Sequence, residues 1–109
     1  MFKITGTTIR LTRGDSFFAT VVMKNQDGTS YQPQTGDEIT FTLKKYYTDD
    51  NALLTKSIDI DTLLLTLDPE DTEDLPFGWY VYDICLVKAN GDVDTFIYES
   101  DFEVAKEAH

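Results

Sequence analysis

The sequence predicts an all-β fold, an antiparallel sandwich of about seven or eight strands. Short segments in which apolar and polar residues alternate recur along the 109 residues, and such alternation is typical of half-buried strands. Turns rich in Gly, Asp and Asn separate these segments at intervals of about eight to twelve residues, and no long segment has helical periodicity. A chain of this length and apolar content is expected to form a single domain, residues 1–109.

The predicted strands differ in how clearly their pattern shows which face is buried. The pattern is clearest where Ile39, Phe41 and Leu43 alternate with polar residues. In the last strand the alternation changes phase near Glu99 and Ser100, which predicts a β-bulge there. In chain order, the predicted strands are residues 7–12, 16–24, 39–47, 53–60, 62–67, 79–88 and 93–104.

The stretch 67–86, LDPEDTEDLPFGWYVYDICL, joins a run of acids to a run of aromatics. Asp68 suits the N-cap of a helix and Pro69 its first position, while two acids in the first turn would oppose the helix dipole. The stretch therefore predicts one short helical turn near residues 69–74. Gly78 then follows as a helix stop before the next strand.

The strand after this turn has two faces of different character. Asp83 would be costly to bury without a partner, so the face that it shares with Trp79 and Cys85 is expected to point to solvent. The face with Tyr80 and Tyr82 is then expected to point to the core. In immunoglobulin-like sandwiches, a tyrosine at the start of the corresponding strand donates a hydrogen bond to the backbone of the preceding turn. Tyr80 is the predicted donor and Tyr82 the alternative. The predicted structural corner consists of Asp68, Pro69, Gly78, Tyr80 and Tyr82.

The acidic turns supply carboxylate oxygens, the ligands that Ca²⁺ prefers. The calcium candidates are Asp68, Glu70 and Asp71 in the first turn, and Asp92 and Asp94 in a later one. Neither turn matches an EF-hand loop, and the first carboxylates of a helix diverge around its axis. We therefore expect these acids to shape turns, with no metal site and no cofactor.

The sequence contains no recognisable catalytic set. Cys85 lies in an apolar run and is expected to be a structural core residue, because a reactive thiolate usually needs a histidine partner. His109, the one histidine, is the last residue. The tripeptide Arg-Gly-Asp at 13–15 occurs in integrin ligands, but it fits a turn before the second strand. The sequence therefore predicts a protein that is not an enzyme.

Charge is distributed unevenly along the chain. Residues 1–57 carry seven basic and six acidic side chains, a net charge of +1, whereas residues 58–109 carry two basic and fourteen acidic ones, a net of −12. A field of this sign repels nucleic acid and anionic membranes and favours a partner with a basic face. The sequence contains no apolar segment long enough to span a bilayer and no signal peptide, so neither export nor membrane insertion is expected.

Four segments together resemble small immunoglobulin-like proteins encoded by phages and prophages of Gram-positive bacteria. They are IRLTRGDSF, GDEITFTLKK, LDPEDTEDLPFGWYVYDICL and NGDVDTFIYESDFEV. The shared pattern is a strand ending in R-G-D, then G-D-x-I-x-F-x-x-K, then L-x-P-x-D-T-x-x-L-x-x-G-x-Y-x-Y-D-I, and a final N-G hairpin. The chain is also similar to the N-terminal domain of siphophage upper baseplate proteins. No catalytic residue belongs to this pattern.

The resemblance implies a non-enzymatic structural or adaptor protein of a virion, in the tail, baseplate or capsid. Its expected partners are other virion proteins or copies of itself, so a homo-oligomer is possible, and its expected location is the host cytoplasm during assembly and then the virion. The alternative is a calcium- or carbohydrate-dependent surface-binding module. Its sugar platform would consist of Trp79, Tyr46, Tyr47 and Tyr98.

Overall fold

A computed structural model describes residues 2–5, 7–22 and 28–106, with the backbone alone for residues 2–5 and 94–99. Within this part of the chain, eight strands form two sheets that pack as a sandwich, and one short helix joins two of the strands. In chain order, the elements are β1 (Phe2–Thr5), β2 (Thr8–Thr12), β3 (Phe17–Thr20), β4 (Glu38–Lys44), β5 (Leu54–Ile58), β6 (Leu64–Leu67), α1 (Pro69–Thr72), β7 (Gly78–Val87) and β8 (Val93–Ala105).

The order of the strands follows the immunoglobulin pattern. The larger sheet has the order β1-β2-β8-β7-β4-β5, and β3 pairs with β6 in the smaller one. Strands β3 and β6 thus correspond to strands B and E of an immunoglobulin domain, and β4, β7 and β8 correspond to C, F and G. The predicted fold class is confirmed.

The pairing of β2 with β8 is parallel, whereas the other strand pairs described are antiparallel. The alternation of side chains has the same period in both kinds of sheet, so the sequence could not reveal this direction. The sequence prediction also missed β1, which folds back on β2 with Phe2 opposite Leu11. The predicted strand 16–24 is described as far as Val22, and residues 23–27 lie outside the described part.

The core lies between the two sheets and includes the side chains that alternation in β4 and β7 assigned to a buried face. Tyr80, Tyr82, Ile84 and Leu86 of β7 are all buried, as predicted. The ring centroid of Phe41 on β4 lies 5.3 Å from that of Tyr82 and 6.2 Å from that of Phe102 on β8. Burying each such side chain contributes about 1.5–3 kcal/mol. The core also contains Ile9, Leu11, Phe17, Val21, Ile39, Leu43, Ile58, Leu65, Leu67 and Val104.

Strand β8 contains two irregularities in its pairing with β7. Tyr82 lies opposite Ser100 and Ile84 opposite Ile97, so one residue of β7 faces two of β8. This confirms the bulge predicted near Glu99 and Ser100. A second shift follows, because Cys85 lies opposite Thr95. Each extra residue shifts the alternation along β8 by one position, which accounts for the change of phase seen in the sequence.

Helix α1 forms the corner between the two sheets. It comprises four residues, with Asp68 at the N-cap and Pro69 at the first position, as predicted. Thr72, the last residue of the helix, is fully buried. The helix ends earlier than the predicted residue 74, because the chain turns over Glu73–Asp74 before reaching Gly78. In the described residues, no helix has the length and apolar character that crossing a bilayer requires.

Candidate functional site

The outer face of β7 exposes a large aromatic side chain. Alternation along the strand buries Tyr80 to 2% exposure and leaves Trp79 55% exposed, as the sequence predicted. Strand β7 lies between β8 and β4, so Trp79 projects from the interior of the sheet and not from its edge. An exposed tryptophan on a well-supported strand is typical of a contact surface.

The loop after β4 places two further aromatics near the start of β7. The ammonium of Lys45 donates a hydrogen bond to the carbonyl oxygen of Trp79 (2.9 Å) and lies 4.5 Å from the ring centroid of Tyr80. This contact fastens the loop that carries Tyr46 and Tyr47 to β7. Tyr46 is 62% exposed, and Tyr47 is exposed as well. We call Trp79, Tyr46 and Tyr47 the aromatic surface. The side chain of Tyr98, the fourth predicted platform residue, lies outside the described part.

Carboxylates lie on the strand beside Trp79. Glu103 of β8 is directly opposite Trp79, and Asp101 is opposite Val81, one step further along the same face. The guanidinium of Arg10 on β2 contacts the carboxylate of Glu103 at 2.9 Å. Partial burial raises the pKa of Asp83, and the nearby positive charge of Lys44 opposes that rise. The surface therefore combines exposed aromatic rings with a row of acids.

The tyrosine corner is present and uses the predicted residue. The hydroxyl of Tyr80 donates a hydrogen bond to the carbonyl oxygen of Pro76 at 2.5 Å. Burial raises the pKa of Tyr80, so the hydroxyl keeps its proton and remains a donor. Tyr82 does not make this bond; its hydroxyl donates to the carbonyl oxygen of Thr7. Burial raises the pKa of Tyr82 to about 12, against a smaller opposite effect of a hydrogen bond with Ser100.

Two acids of the corner, Asp68 and Asp71, make contacts within the protein. The carboxylate of Asp71 accepts a hydrogen bond from the backbone N–H of Asp68 at 2.8 Å. The ammonium of Lys56, on edge strand β5, contacts the carboxylate of Asp71 at 3.0 Å and that of Asp68 at 4.0 Å. Glu70 belongs to the same first turn. Two of these three calcium candidates thus share a protein cation, which ties α1 to the edge of the larger sheet.

The remaining calcium candidates lie at the opposite end of β7. Asp92 follows Val87 in the β7–β8 hairpin, where its carboxylate accepts a hydrogen bond from the side chain of Asn90 at 3.2 Å. The side chain of Asp94 lies outside the described part. Because β7 spans ten residues, roughly 30 Å of strand separates this hairpin from the corner. The side chains that are described include no group of three His, Cys, Asp or Glu residues able to hold a metal ion.

The Arg-Gly-Asp turn packs against the corner. The guanidinium of Arg13 lies 4.0 Å from the ring centroid of Phe77, and the backbone N–H of Gly14 donates to the hydroxyl of Thr72 at 3.2 Å. Asp15 closes the turn with a backbone hydrogen bond to the carbonyl oxygen of Thr12. These contacts give the tripeptide a structural use, in line with the turn that the sequence predicted.

Two sequence arguments disagreed about Cys85. The alternation along β7 placed it on the outer face, and the apolar run around it placed it in the core; the core assignment is wrong. Cys85 is half-buried on the outer face of β7, the face of Trp79 and Asp83. The alternation that correctly placed Trp79 therefore gave the right face for Cys85 as well, and the apolar character of its neighbours was misleading.

Asp37, which the sequence prediction did not single out, links the loop before β4 to the β7–β8 hairpin at the other end of the sandwich. The carboxylate of Asp37 accepts hydrogen bonds from the hydroxyl of Tyr31 (2.7 Å), from the backbone N–H of Gln34 (2.8 Å) and from that of Ala89 (3.2 Å). These hydrogen bonds lower the pKa of Asp37 below its usual value. The bond from Gln34 has the largest effect, and burial acts in the opposite direction. The turn dipeptide Gly36-Asp37 was the sequence feature that could have pointed to this residue.

An apolar cavity of about 140 Å³ opens between β2 and β3. Among the described residues that line it, Tyr82 is the one with an ionisable group, and its hydroxyl donates a hydrogen bond to the carbonyl oxygen of Thr7. The cavity is lined by Thr7, Ile9, Phe17, Ala19, Thr20, Val21, Val22, Leu65, Tyr82 and Ile84.

No protein-family model matches this chain, and no curated protein matches it significantly.

Proposed function

We propose that the chain is a non-enzymatic structural or adaptor protein of a phage or prophage particle, acting through contacts with other virion proteins or with copies of itself. The observation that carries the proposal is the outward position of Trp79, 55% exposed within a six-stranded sheet. Tryptophan and tyrosine are enriched among the residues that dominate binding energy at protein interfaces. The resemblance to phage-encoded immunoglobulin-like proteins supports the choice of a particle as the setting.

The polar motifs of the chain support a scaffold function. The Arg-Gly-Asp turn, the acids of α1 and Asp37 all make hydrogen bonds or ion pairs within the protein. Such contacts hold loops in place, whereas Trp79, Tyr46 and Tyr47 of the aromatic surface stay exposed. A rigid surface loses little conformational entropy on association, which favours affinity.

The test is the amount of this protein in purified particles of the phage or prophage that encodes it. Wild-type protein is expected in the particle, and Trp79→Ser is expected to reduce its amount about tenfold, the effect of losing one strong interface residue. Val93→Ser, which also removes an exposed apolar side chain, serves as the matched control and should leave the amount unchanged. Absence of the wild-type protein from particles, or neighbouring genes that encode metabolic enzymes, would contradict the proposal.

A carbohydrate-binding module is the second candidate, because planar rings such as those of Trp79 and Tyr46 also stack on sugars. A glycan array tests it with wild-type protein and Trp79→Ser. Binding of a glycan by the wild type alone would favour this candidate over the particle protein. A calcium-dependent rise in melting temperature would favour the calcium-dependent form of the same module.

A further inference from the structure

The ring of Trp79 is available for contact on the outer face of β7. In the described part of the chain, no cation lies over this ring, although Phe77, Tyr80 and Tyr31 each have one nearby. The backbone of Trp79 is held by its pairing with β8 and by the hydrogen bond from Lys45. The indole is therefore presented on a fixed support.

The acids beside Trp79 form a row at short range. Glu103 lies directly across from Trp79, where side chains of paired residues have Cβ atoms about 5 Å apart, and Asp101 is the diagonal neighbour, about 7–8 Å away. Asp83 projects from the same face of β7. A cation placed over the indole would therefore lie beside Glu103 and Asp101, whereas Asp83, four residues further along β7, lies about 13 Å from Trp79.

Within the part of the chain whose side chains are described, two of these carboxylates have no salt-bridge partner. Arg10 contacts Glu103, but among the described side chains no basic group forms a salt bridge with Asp83 or Asp101. Asp83 is half-buried, and its burial disfavours the charged form, which Lys44 offsets in part. A cation supplied from outside would stabilise that charge.

From this arrangement we infer that the face formed by Trp79, Asp83 and Asp101 docks an arginine-bearing apolar segment of another protein. One guanidinium stacks on the indole and pairs with Asp101, a second pairs with Asp83, and apolar neighbours of the two arginines cover Val81. Arginine suits the site better than lysine, because its planar fork can stack on an aromatic ring and bind a carboxylate at the same time.

Charge and composition indicate a different protein rather than a second copy as the partner. The net charge of −11 disfavours self-association and attracts a basic segment. The chain has two arginines, Arg10 and Arg13. Arg10 is paired with Glu103, and Arg13 is stacked on Phe77, so both guanidinium groups are already used within the protein. The inference rests on the proposed function, for which it specifies the chemistry of the partner.

The test uses the fluorescence of Trp79, the one tryptophan in the chain. Wild-type protein is titrated with the peptide acetyl-Leu-Arg-Ile-Arg-Leu-amide and with the same peptide carrying lysines in place of arginines. We expect a saturable change with the arginine peptide, weaker binding of the lysine peptide and weaker binding of both at high salt.

Matched variants separate this site from the general negative charge. Asp83→Asn and Asp101→Asn should each weaken binding of the arginine peptide about threefold, the effect of losing one exposed ion pair. Asp61→Asn removes one exposed carboxylate from the opposite end of the sandwich and should leave the binding constant unchanged. No fluorescence change, equal affinity for the lysine peptide, or an equal effect of Asp61→Asn would overturn the inference.

The two proposals fail in different ways. If Trp79→Ser prevents incorporation into particles but the arginine peptide does not bind, the particle function stands and the arginine site is wrong. If the peptide binds as expected but the protein is absent from particles, the site stands and its biological setting is wrong.

Discussion

The hydroxyl of Tyr80 links β7 to the turn that precedes it. Its hydrogen bond to the carbonyl oxygen of Pro76 spans four residues, and the ring is almost completely buried. Tyr82, two residues further, occupies the position at which antibody domains carry the second cysteine of their disulfide. Here its ring packs against Phe41. Aromatic packing thus occupies a position where antibody domains use a covalent link.

We expect Tyr80→Phe to lower the free energy of unfolding by about 1 kcal/mol, because the carbonyl oxygen of Pro76 loses the hydrogen bond from the buried tyrosine. Urea denaturation measures the change. Tyr46→Phe removes the hydroxyl of an exposed tyrosine and should stay within about 0.5 kcal/mol of the wild type. Equal effects of the two substitutions would show that the corner bond contributes nothing.

Asp37 couples the stability of the protein to pH. Its pKa is lowered in the folded protein by the hydrogen bonds from Gln34, Tyr31 and Ala89. A carboxyl group with a lower pKa in the folded than in the unfolded state stabilises the fold above its unfolded pKa, and this contribution disappears as the pH falls through the folded pKa.

We therefore expect Asp37→Asn to destabilise the protein at pH 7 and the difference from the wild type to shrink below about pH 4. Urea denaturation at a series of pH values measures both proteins, and the other carboxyl groups cancel in the difference. A difference that stays constant between pH 7 and pH 3 would contradict the assigned role of this carboxylate.

Tyr80 and Trp79 could be assigned from the sequence, whereas Asp37 could not. Strict alternation and the charge of Asp83 fixed the two faces of β7. The partners of Asp37 come from the segment before β4 and from the β7–β8 hairpin, which is 52 residues away in sequence. No local pattern encodes such a contact. Carboxylates in turns are common, so the dipeptide Gly36-Asp37 did not show which groups would donate hydrogen bonds to Asp37.

At the scale of elements, the loop before β4 packs closely on the β7–β8 hairpin. Gly36 has a φ of +95°, and a Cβ built on it would lie 2.9 Å from the Cβ of Ala89. Gly91 in the hairpin has the same φ of +95°, but a Cβ there would meet no atom within 4 Å. The two glycines share a backbone conformation and differ in their surroundings.

Alanine substitution at these two positions separates conformation from contact. Gly91→Ala should cost about 1–2 kcal/mol, the penalty of a left-handed conformation for a residue with a Cβ. Gly36→Ala should cost about 1–3 kcal/mol more, because the added methyl group also overlaps Ala89. Thermal or urea denaturation of both variants measures the difference. Equal destabilisation would show that the loop and the hairpin do not pack as described.

The order of elements was predictable in part. The strands from β4 to β8 follow from alternation and turn residues, and α1 follows from its capping sequence. The short strand β1 was missed because four residues give too little alternation to recognise. The parallel pairing of β2 with β8 depends on contacts across more than 90 residues, and strand periodicity carries no information about it.

At the scale of the whole molecule, the corner formed by α1 and the aromatic surface lie at the same end of the sandwich. Lys56 on edge strand β5 joins this corner through Asp71, so a charge lies on an edge that would otherwise favour pairing with another chain. The net charge of −11 acts in the same direction. Self-association through this edge is thus disfavoured, whereas the face around Trp79 remains exposed.

The position of Trp79 outside the core is the claim on which the proposed surface depends. Acrylamide quenching of tryptophan fluorescence measures it directly, because the chain contains a single tryptophan. We expect the quenching constant of the folded protein to approach that of the unfolded chain in urea. A folded protein with strongly protected, blue-shifted fluorescence would place Trp79 in the interior and contradict the account.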